Sequence, residues 1–380
     1  MKIIADENMP ALTLFSALGE VTPRAGRGLT QADLRDAQVL LVRSVTRVDE
    51  ALLADTPVRF VGSATIGTDH VDQAWLARHD IHFAHAPGCN AMAVAEYVLQ
   101  AVLDWACEQG RALADLQVGI VGVGNAGGRV AALLAAAGCQ LRCCDPPRAA
   151  AGDTVAGGWA SLDEALACDV VTLHVPLSKT GPDATHHLLD ATRLARLTRG
   201  QLLINSSRGP VIDNAALLAR LQADGPEVVL DVWETEPAVP PALFALVRWG
   251  TPHIAGYSVE GRTRGSLMVY EALCAHLGQA ADAAVLPESP SMQIKAMQIK
   301  GGIHGAPDML ALLRQRWDMR DTHAALAAVV AGDEGRAGFD RLRREFPARH
   351  EVAGVEIRGE VHGSWASVLT ALGATFLPDV

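Results

Sequence analysis

The hexapeptide Gly122-Val123-Gly124-Asn125-Ala126-Gly127 constrains this chain more than any other feature. Three glycines in that spacing have a physical purpose only between a strand and a helix. Residues 117–121, QVGIV, supply an apolar, β-branched run before it, and Gly128–Ala137 continues it as an Ala/Leu-rich helix. In this context Gly122 allows a tight turn, Gly124 lets the backbone approach a pyrophosphate, and Gly127 permits close packing of helix on strand. The helix N-terminus presents unpaired N–H groups and a positive dipole end to the phosphates. Asp145 stands 18 residues beyond Gly127, at the end of the next predicted strand. A carboxylate there grips a ribose diol and repels a 2′-phosphate, so the spacing predicts NAD rather than NADP. Arg148 opposes that preference, because a nearby arginine can serve a 2′-phosphate.

Short β-rich runs alternate with helical patterns on both sides of this turn, the signature of an α/β fold. Strands are predicted at Lys2–Ala5, Val39–Val42, Phe60–Ser63, Gln117–Val121, Gln140–Cys144, Val170–His174, Leu202–Asn205, Val228–Val232 and near His253, with a long helix over Ala91–Trp105. From about residue 117 to 255 the rhythm describes a doubly wound parallel sheet. Three later segments each place a reactive side chain just after a predicted strand: Arg208 in NSSRG, Glu236 in DVWETEP and His253 in TPHIAG. Loops at the carboxyl ends of parallel strands line one crevice, so the three can converge despite their separation. Their types suit oxidation of a 2-hydroxy acid. An imidazole removes the hydroxyl proton near neutral pH, a carboxylate against it favours its charged form, and a guanidinium binds the substrate carboxylate with two parallel hydrogen bonds. His186 and His187 are adjacent in a polar stretch, and His70, His82 and His85 lack ligand spacing, so no metal site is read.

Composition excludes other classes. The chain carries 32 Lys plus Arg against 43 Asp plus Glu, a net charge of −11 without a basic run, which disfavours nucleic acid and anionic membrane as partners. Asp6 and Glu7 interrupt the start where a signal peptide needs apolar residues, and the longest apolar run, near Val130–Ala137, is far short of the ~20 residues of a membrane span. Seven cysteines without a C-x-x-C pair read as reduced thiols, and hence as a cytoplasmic protein. After residue 285 the pattern changes. Pro287, Pro290 and the near-duplicate Met292–Lys295 and Met297–Lys300 suggest a linker or an entering strand. Beyond them, helices around Met309–Trp317 and Asp340–Phe346, a strand pair at His350–Ile357 and Glu360–Trp365, and a last helix form a small α+β unit in which no chemistry is evident. A module without a site most simply meets its own copy, so a two-fold homodimer is expected.

The segments Leu203–Leu221, Val228–Pro237 and Thr251–Gly256, together with the glycine turn, resemble the D-2-hydroxyacid dehydrogenase family. The stretches ADENMP, LVRSVTRV, VGSATIGTDHVD, APGCNAMAVAEYV and TPHIAGYSVEGRTRG, with GFDRLRREFPARHE more loosely, are similar to a narrower group within it that acts on a phosphorylated four-carbon acid. The resemblance implies that His253 is the acid/base, Glu236 its partner and Arg208 the carboxylate anchor. It puts Ser44, Thr65 and Tyr257 at substrate positions, with Arg43 beside them for a phosphate. It puts Asp145, Ser206, Ser207, Arg208, Asp231 and Gly256 at NAD positions, beside the turn residues Gly122, Gly124, Asn125, Ala126 and Gly127. Val175 occupies a cofactor position where relatives often carry Thr, which leaves only a backbone contact there. The implied architecture is a discontinuous, flavodoxin-like substrate domain (1–95 plus 256–288), a Rossmann NAD domain (96–255) and a C-terminal dimerisation domain (289–380), with the active site in the cleft between the first two. Two rival readings stay open: a phosphoglycerate dehydrogenase, whose substrate is one hydroxylated carbon shorter, and an NAD-sensing corepressor-like binding protein.

Overall fold

In the computed structural model, which describes residues 1–281, 297–298 and 302–377, two compact units are built from separate parallel sheets. The first comprises Met1–Asn90 with Ser258–Gln293. Its strands β1 (Lys2–Asp6), β2 (Glu20–Arg24), β3 (Val39–Val42), β4 (Phe60–Ser63) and β5 (His82–His85) lie in the order β2-β1-β3-β4-β5. All four residues of β3 and of β4 are buried, as a parallel sheet covered on both faces requires. The helix Val259–His276 closes one face through Val269, Tyr270 and Leu273. It approaches so closely that a Cβ on Gly62 would stand 2.3 Å from Val269 Cγ1. The return of a distant helix to the first sheet gives the unit the discontinuous form expected from the resemblance.

The second unit comprises Ala91–Tyr257 with Ile294–Val380. Strands β6 (Gln117–Val121), β7 (Gln140–Cys144), β8 (Val170–Leu173), β9 (Leu202–Asn205), β10 (Glu227–Leu230) and β11 (Trp249–Gly250) form a parallel sheet in the order β11-β10-β9-β8-β6-β7. The strand order reverses between β6 and β8, the place where open α/β sheets bind ligands. The helix Ala91–Glu108 is buried over most of its surface, because the sheet lies on one side and the helix Ala306–Arg316 on the other.

Several expected elements differ. The helix after the glycine turn begins at Asn125, so the turn residues themselves form its first turn. Near His253 the strand is only Trp249–Gly250, since the backbone N–H groups of His253, Ile254 and Ala255 bond to Asp231 instead of continuing a ladder. The expected pair His350–Ile357 and Glu360–Trp365 is corrected to one short strand, β13 (Glu356–Arg358), lying parallel between β12 (Met297–Gln298) and β14 (Thr375–Leu377). Residues 364–371 form a helix because Trp365, Val368, Leu369 and Leu372 recur at helical spacing and bury together. Unforeseen elements are β2, β5 and the helix Met319–Ala331. Pro287, Pro290, Met292–Lys295 and the expected boundary at 288 lie outside the described residues.

Residues 302–377 pack within the second unit. Trp317 O accepts from Gln100 Nε2 at 2.7 Å, Met319 N donates to Gln100 Oε1 at 2.9 Å, and Val352 N donates to Glu96 Oε1 at 2.7 Å. Gln100 and Glu96 are buried polar residues of the long helix, and these bonds satisfy them. Among the described residues, no helix is long and apolar enough to cross a membrane.

Candidate active site

The glycine turn sits at the carboxyl end of β6. Gly122 has φ +85°, and a Cβ there would meet the carbonyl of His174, 2.8 Å away at the end of β8. A Cβ on Gly127 would lie 1.9 Å from Gly122 O, so helix and turn interlock only without side chains. Gly124 faces open space, with nothing within 4 Å of its notional Cβ, and Asn125 beside it is exposed. The pattern is two glycines for packing and one for access, as a pyrophosphate requires. Val175 flanks Gly122, its Cγ1 2.8 Å from the position a Cβ would take. Ser206 Oγ, at the end of β9, is buried without a hydrogen-bond partner and offers a donor to a ligand. These groups fit a dinucleotide.

Asp145 follows β7. Its Oδ2 accepts from Val123 N at 2.8 Å and its Oδ1 from Arg148 N at 3.2 Å, so the carboxylate caps the helix Pro146–Ala150 and fixes the turn while keeping further lone pairs. The Arg148 guanidinium is drawn elsewhere: its Nε donates to Asp153 at 2.7 Å and its Nη1 to Val123 O, and it lies over the Trp159 ring. In that arrangement the guanidinium is engaged with Asp153 and Trp159 rather than with the Asp145 carboxylate. His174, beneath the turn, bonds Thr172 Oγ1 through Nε2 at 2.9 Å, and burial pushes its pKa down to about 3, so it is a neutral imidazole.

The reactive pair is assembled by the loop after β11. His253 Nδ1 lies 2.7 Å from Glu236 Oε1. An ionised carboxylate only accepts, so Nδ1 carries the proton and Nε2 is left to exchange one with a substrate. Burial pushes the Glu236 carboxyl up, but the His253 ring, its hydrogen bond and the Arg343 charge outweigh this and hold the pKa below the usual carboxylate value. His253 sits in the left-handed region, φ 57°, which a non-glycine residue adopts at a cost of ~1–2 kcal/mol. Asp231, 1% exposed, holds it there: its carboxylate accepts from Thr251 Oγ1 at 2.6 Å, Ile254 N at 2.7 Å and Ala255 N at 2.9 Å, and its backbone O accepts from His253 N at 2.7 Å. Asp231 is therefore a brace of the loop that carries His253. Arg208 leaves the end of β9, beside β10, with Nη1 on Ser207 O at 2.7 Å. Ser207 donates to Asn205 Oδ1 through both N and Oγ, and Gly209 is obligatory because a Cβ would lie 2.1 Å from Trp233 O. Gly256 and Tyr257 complete the loop, where Tyr257 N donates to Ile254 O at 2.8 Å.

In the first unit, Arg43 and Ser44 follow β3 and Thr65 follows β4, and these strands pair through Val42↔Ser63. Thr65 Oγ1 lies 2.7 Å from Ser63 Oγ and donates to Gly67 O at 3.0 Å. Arg47 of the same segment is an exposed partner of Asp49 at 3.1 Å. Sequence reasoning missed Tyr97, whose hydroxyl meets Thr251 Oγ1 at 2.9 Å, and Arg349, which donates to Ala255 O at 3.1 Å and Ala93 O at 2.7 Å. Both are buried and distant in sequence from the loop they support, so no local pattern marks them. His186, His187 and Glu234 bring ligand-type atoms within 4.8 Å of one another. Glu234 already accepts from Asn214 N at 3.0 Å and meets His187 Nε2 at 2.6 Å, which makes this cluster a loop brace.

The pattern of the D-isomer specific 2-hydroxyacid dehydrogenase NAD binding domain matches residues 93–255. A solved NAD-dependent formate dehydrogenase from Staphylococcus aureus, in complex with NAD, superposes with a TM-score of 0.60 at 25% identity, covering 73% of this chain and 96% of that one. With these matches and those that follow, the chain belongs to the D-isomer specific 2-hydroxyacid dehydrogenase family; it is a dehydrogenase and its cofactor is NAD. Within that family it is 46% identical over 373 residues, 97% of each chain, to a protein of Marinobacter nauticus named erythronate-4-phosphate dehydrogenase. It is 47% identical over 376 residues, 98% of each chain, to one of the same name from Salmonella arizonae.

Proposed function

We propose that this chain oxidises the 2-hydroxyl of 4-phospho-D-erythronate to (R)-3-hydroxy-2-oxo-4-phosphooxybutanoate, a step toward pyridoxal 5′-phosphate. The observation that carries the chemistry is the His253–Glu236 contact of 2.7 Å, with His253 held in the left-handed region by the Asp231 brace. Nε2 of His253 takes the hydroxyl proton as the 2-hydroxyl becomes a carbonyl. Glu236, held ionised, stabilises the resulting imidazolium. Arg208 binds the substrate carboxylate and polarises the reacting oxygen. When bound, NAD accepts the hydride. Gly122, Gly124, Asn125, Ala126 and Gly127 would cradle its pyrophosphate, Asp145 would take the ribose diol, and the Val175, Ser206, Ser207 and Gly256 segments would complete its binding. Ser44, Thr65 and Tyr257 contact the substrate, with Arg43 near its phosphate.

The test is NADH absorbance with a panel of phosphorylated 2-hydroxy acids. Turnover is expected with 4-phospho-D-erythronate well above 3-phospho-D-glycerate, and the reverse order rejects the assignment. In the same assay His253→Asn should lower kcat by about 10²–10⁴-fold with NAD binding kept. We further infer a cytoplasmic homodimer that associates through residues 289–380. Sedimentation of the full chain as a monomer at assay concentrations would exclude it.

A further inference from the structure

The last turn of the helix Gly335–Arg344 carries Arg341, Arg343 and Arg344, and their partners differ. Arg341 pairs with Glu334, Arg344 with Glu345 at 2.9 Å, and the later Arg349 with Glu96 at 3.6 Å. Arg343 has no carboxylate partner among the described residues. Its Nη2 instead donates to the Tyr257 hydroxyl at 3.1 Å, and its guanidinium carbon lies 5.7 Å from the Tyr257 ring centroid and 6.0 Å from that of Phe339. Its Nε is buried without a hydrogen-bond partner. A guanidinium has five N–H donors in a fixed fork, and one held between two rings with a buried donor unused is prepared for an anion. The neighbourhood is the active site itself. Tyr257 closes the turn after His253, and Arg343 is one of the charges that act on Glu236.

We propose that Arg343 is a further guanidinium of the active site, beyond Arg208 and Arg43, and binds the phosphate of the substrate. This rests on the phosphorylated-acid reading above. A four-carbon acid with a terminal phosphate presents two anions, and Arg208 is matched to the carboxylate. The C-terminal segment thereby contributes a specificity residue to the site.

The experiment uses the full chain with NAD and compares Arg343→Met and Arg343→Lys with the wild type on 4-phospho-D-erythronate and on unphosphorylated D-erythronate. Losing charge-assisted hydrogen bonds to phosphate should cut the kcat/KM preference for the phosphorylated acid about 10- to 100-fold, mainly through KM. Arg343→Lys should recover part of it, because an ammonium keeps the charge without the fork. Circular dichroism establishes that each variant is folded. Equal losses on both acids would overturn the proposal, because Arg343 would then act through Tyr257 and Glu236. So would an intact preference accompanied by a shifted acid limb of the pH profile. A wild type with no preference for the phosphorylated acid rejects the substrate reading instead. Calorimetric titration with inorganic phosphate then still decides Arg343: binding weakened by Arg343→Met supports an anion site, and unchanged binding overturns it.

Discussion

Asp231→Ala separates two roles for one carboxylate. The family resemblance puts Asp231 at a cofactor position, whereas its side chain is engaged with Thr251, Ile254 and Ala255. Removing it leaves two backbone N–H groups without acceptors at Ile254 and Ala255, which are 0% and 1% exposed. Each buried, unsatisfied donor costs ~1–3 kcal/mol, so the loop loses ~2–6 kcal/mol. The left-handed backbone at His253 costs only ~1–2 kcal/mol, so the brace outweighs the strain when present and the strain prevails when it is gone. His253 should then relax away from Glu236. Asp231→Asn should be little better, because one of its two acceptor oxygens becomes a donor facing N–H groups. The assay pairs guanidinium unfolding with kcat at saturating NAD. Expected are a loss of several kcal/mol in stability, a Tm lower by roughly 2–4 °C for each kcal/mol, and a kcat fall approaching that of His253→Asn. An Asp231→Ala chain with wild-type stability and kcat, and only a raised KM for NAD, would refute the brace and restore the cofactor role.

Two further outcomes follow from the nucleotide half of the site. Asp145→Ala should reduce the kcat/KM advantage of NAD over NADP by about tenfold or more and cost ~1 kcal/mol as a lost helix cap; an unchanged ratio means that Asp145 serves the turn alone. His174 has a folded pKa of about 3, below its unfolded value, so its contribution to stability is present above pH ~6.5 and is lost as the pH falls toward 3, with a slope of at most ~1.4 kcal/mol per pH unit. His174→Gln should flatten the acid-side fall of stability in that window, and identical slopes in urea titrations at stepped pH contradict this assignment.

The cofactor half of the site was legible because its requirements are local. A left-handed Gly122, an open Gly124 and a Gly127 pressed on Gly122 O all fall within one strand–turn–helix, and each is a statement about a missing Cβ. The inner strands of both sheets were legible for a similar reason, since buried parallel strands read as short apolar runs, whereas the largely exposed or half-buried edge strands β2 and β5 gave no such run. The strand pair expected at His350–Ile357 and Glu360–Trp365 failed, because the short strand Glu356–Arg358 finds its parallel partners at Met297–Gln298 and Thr375–Leu377, away from its own neighbourhood in sequence.

The sequence by itself determined the residue types and the ends of strands on which Arg208, Glu236 and His253 stand. Parallel topology confines such ends to one edge of a sheet, so the chemistry could be named before any distance was known. Only the tertiary structure decided which groups meet. Glu236 reaches His253 across 17 residues, Asp231 turns its carboxylate on the loop that holds that histidine, and Arg343 reaches Tyr257 across 86. None of these contacts leaves a local signal. Burial and hydrogen bonding select a partner by distance and dielectric, and both are properties of the packed chain rather than of any segment of it.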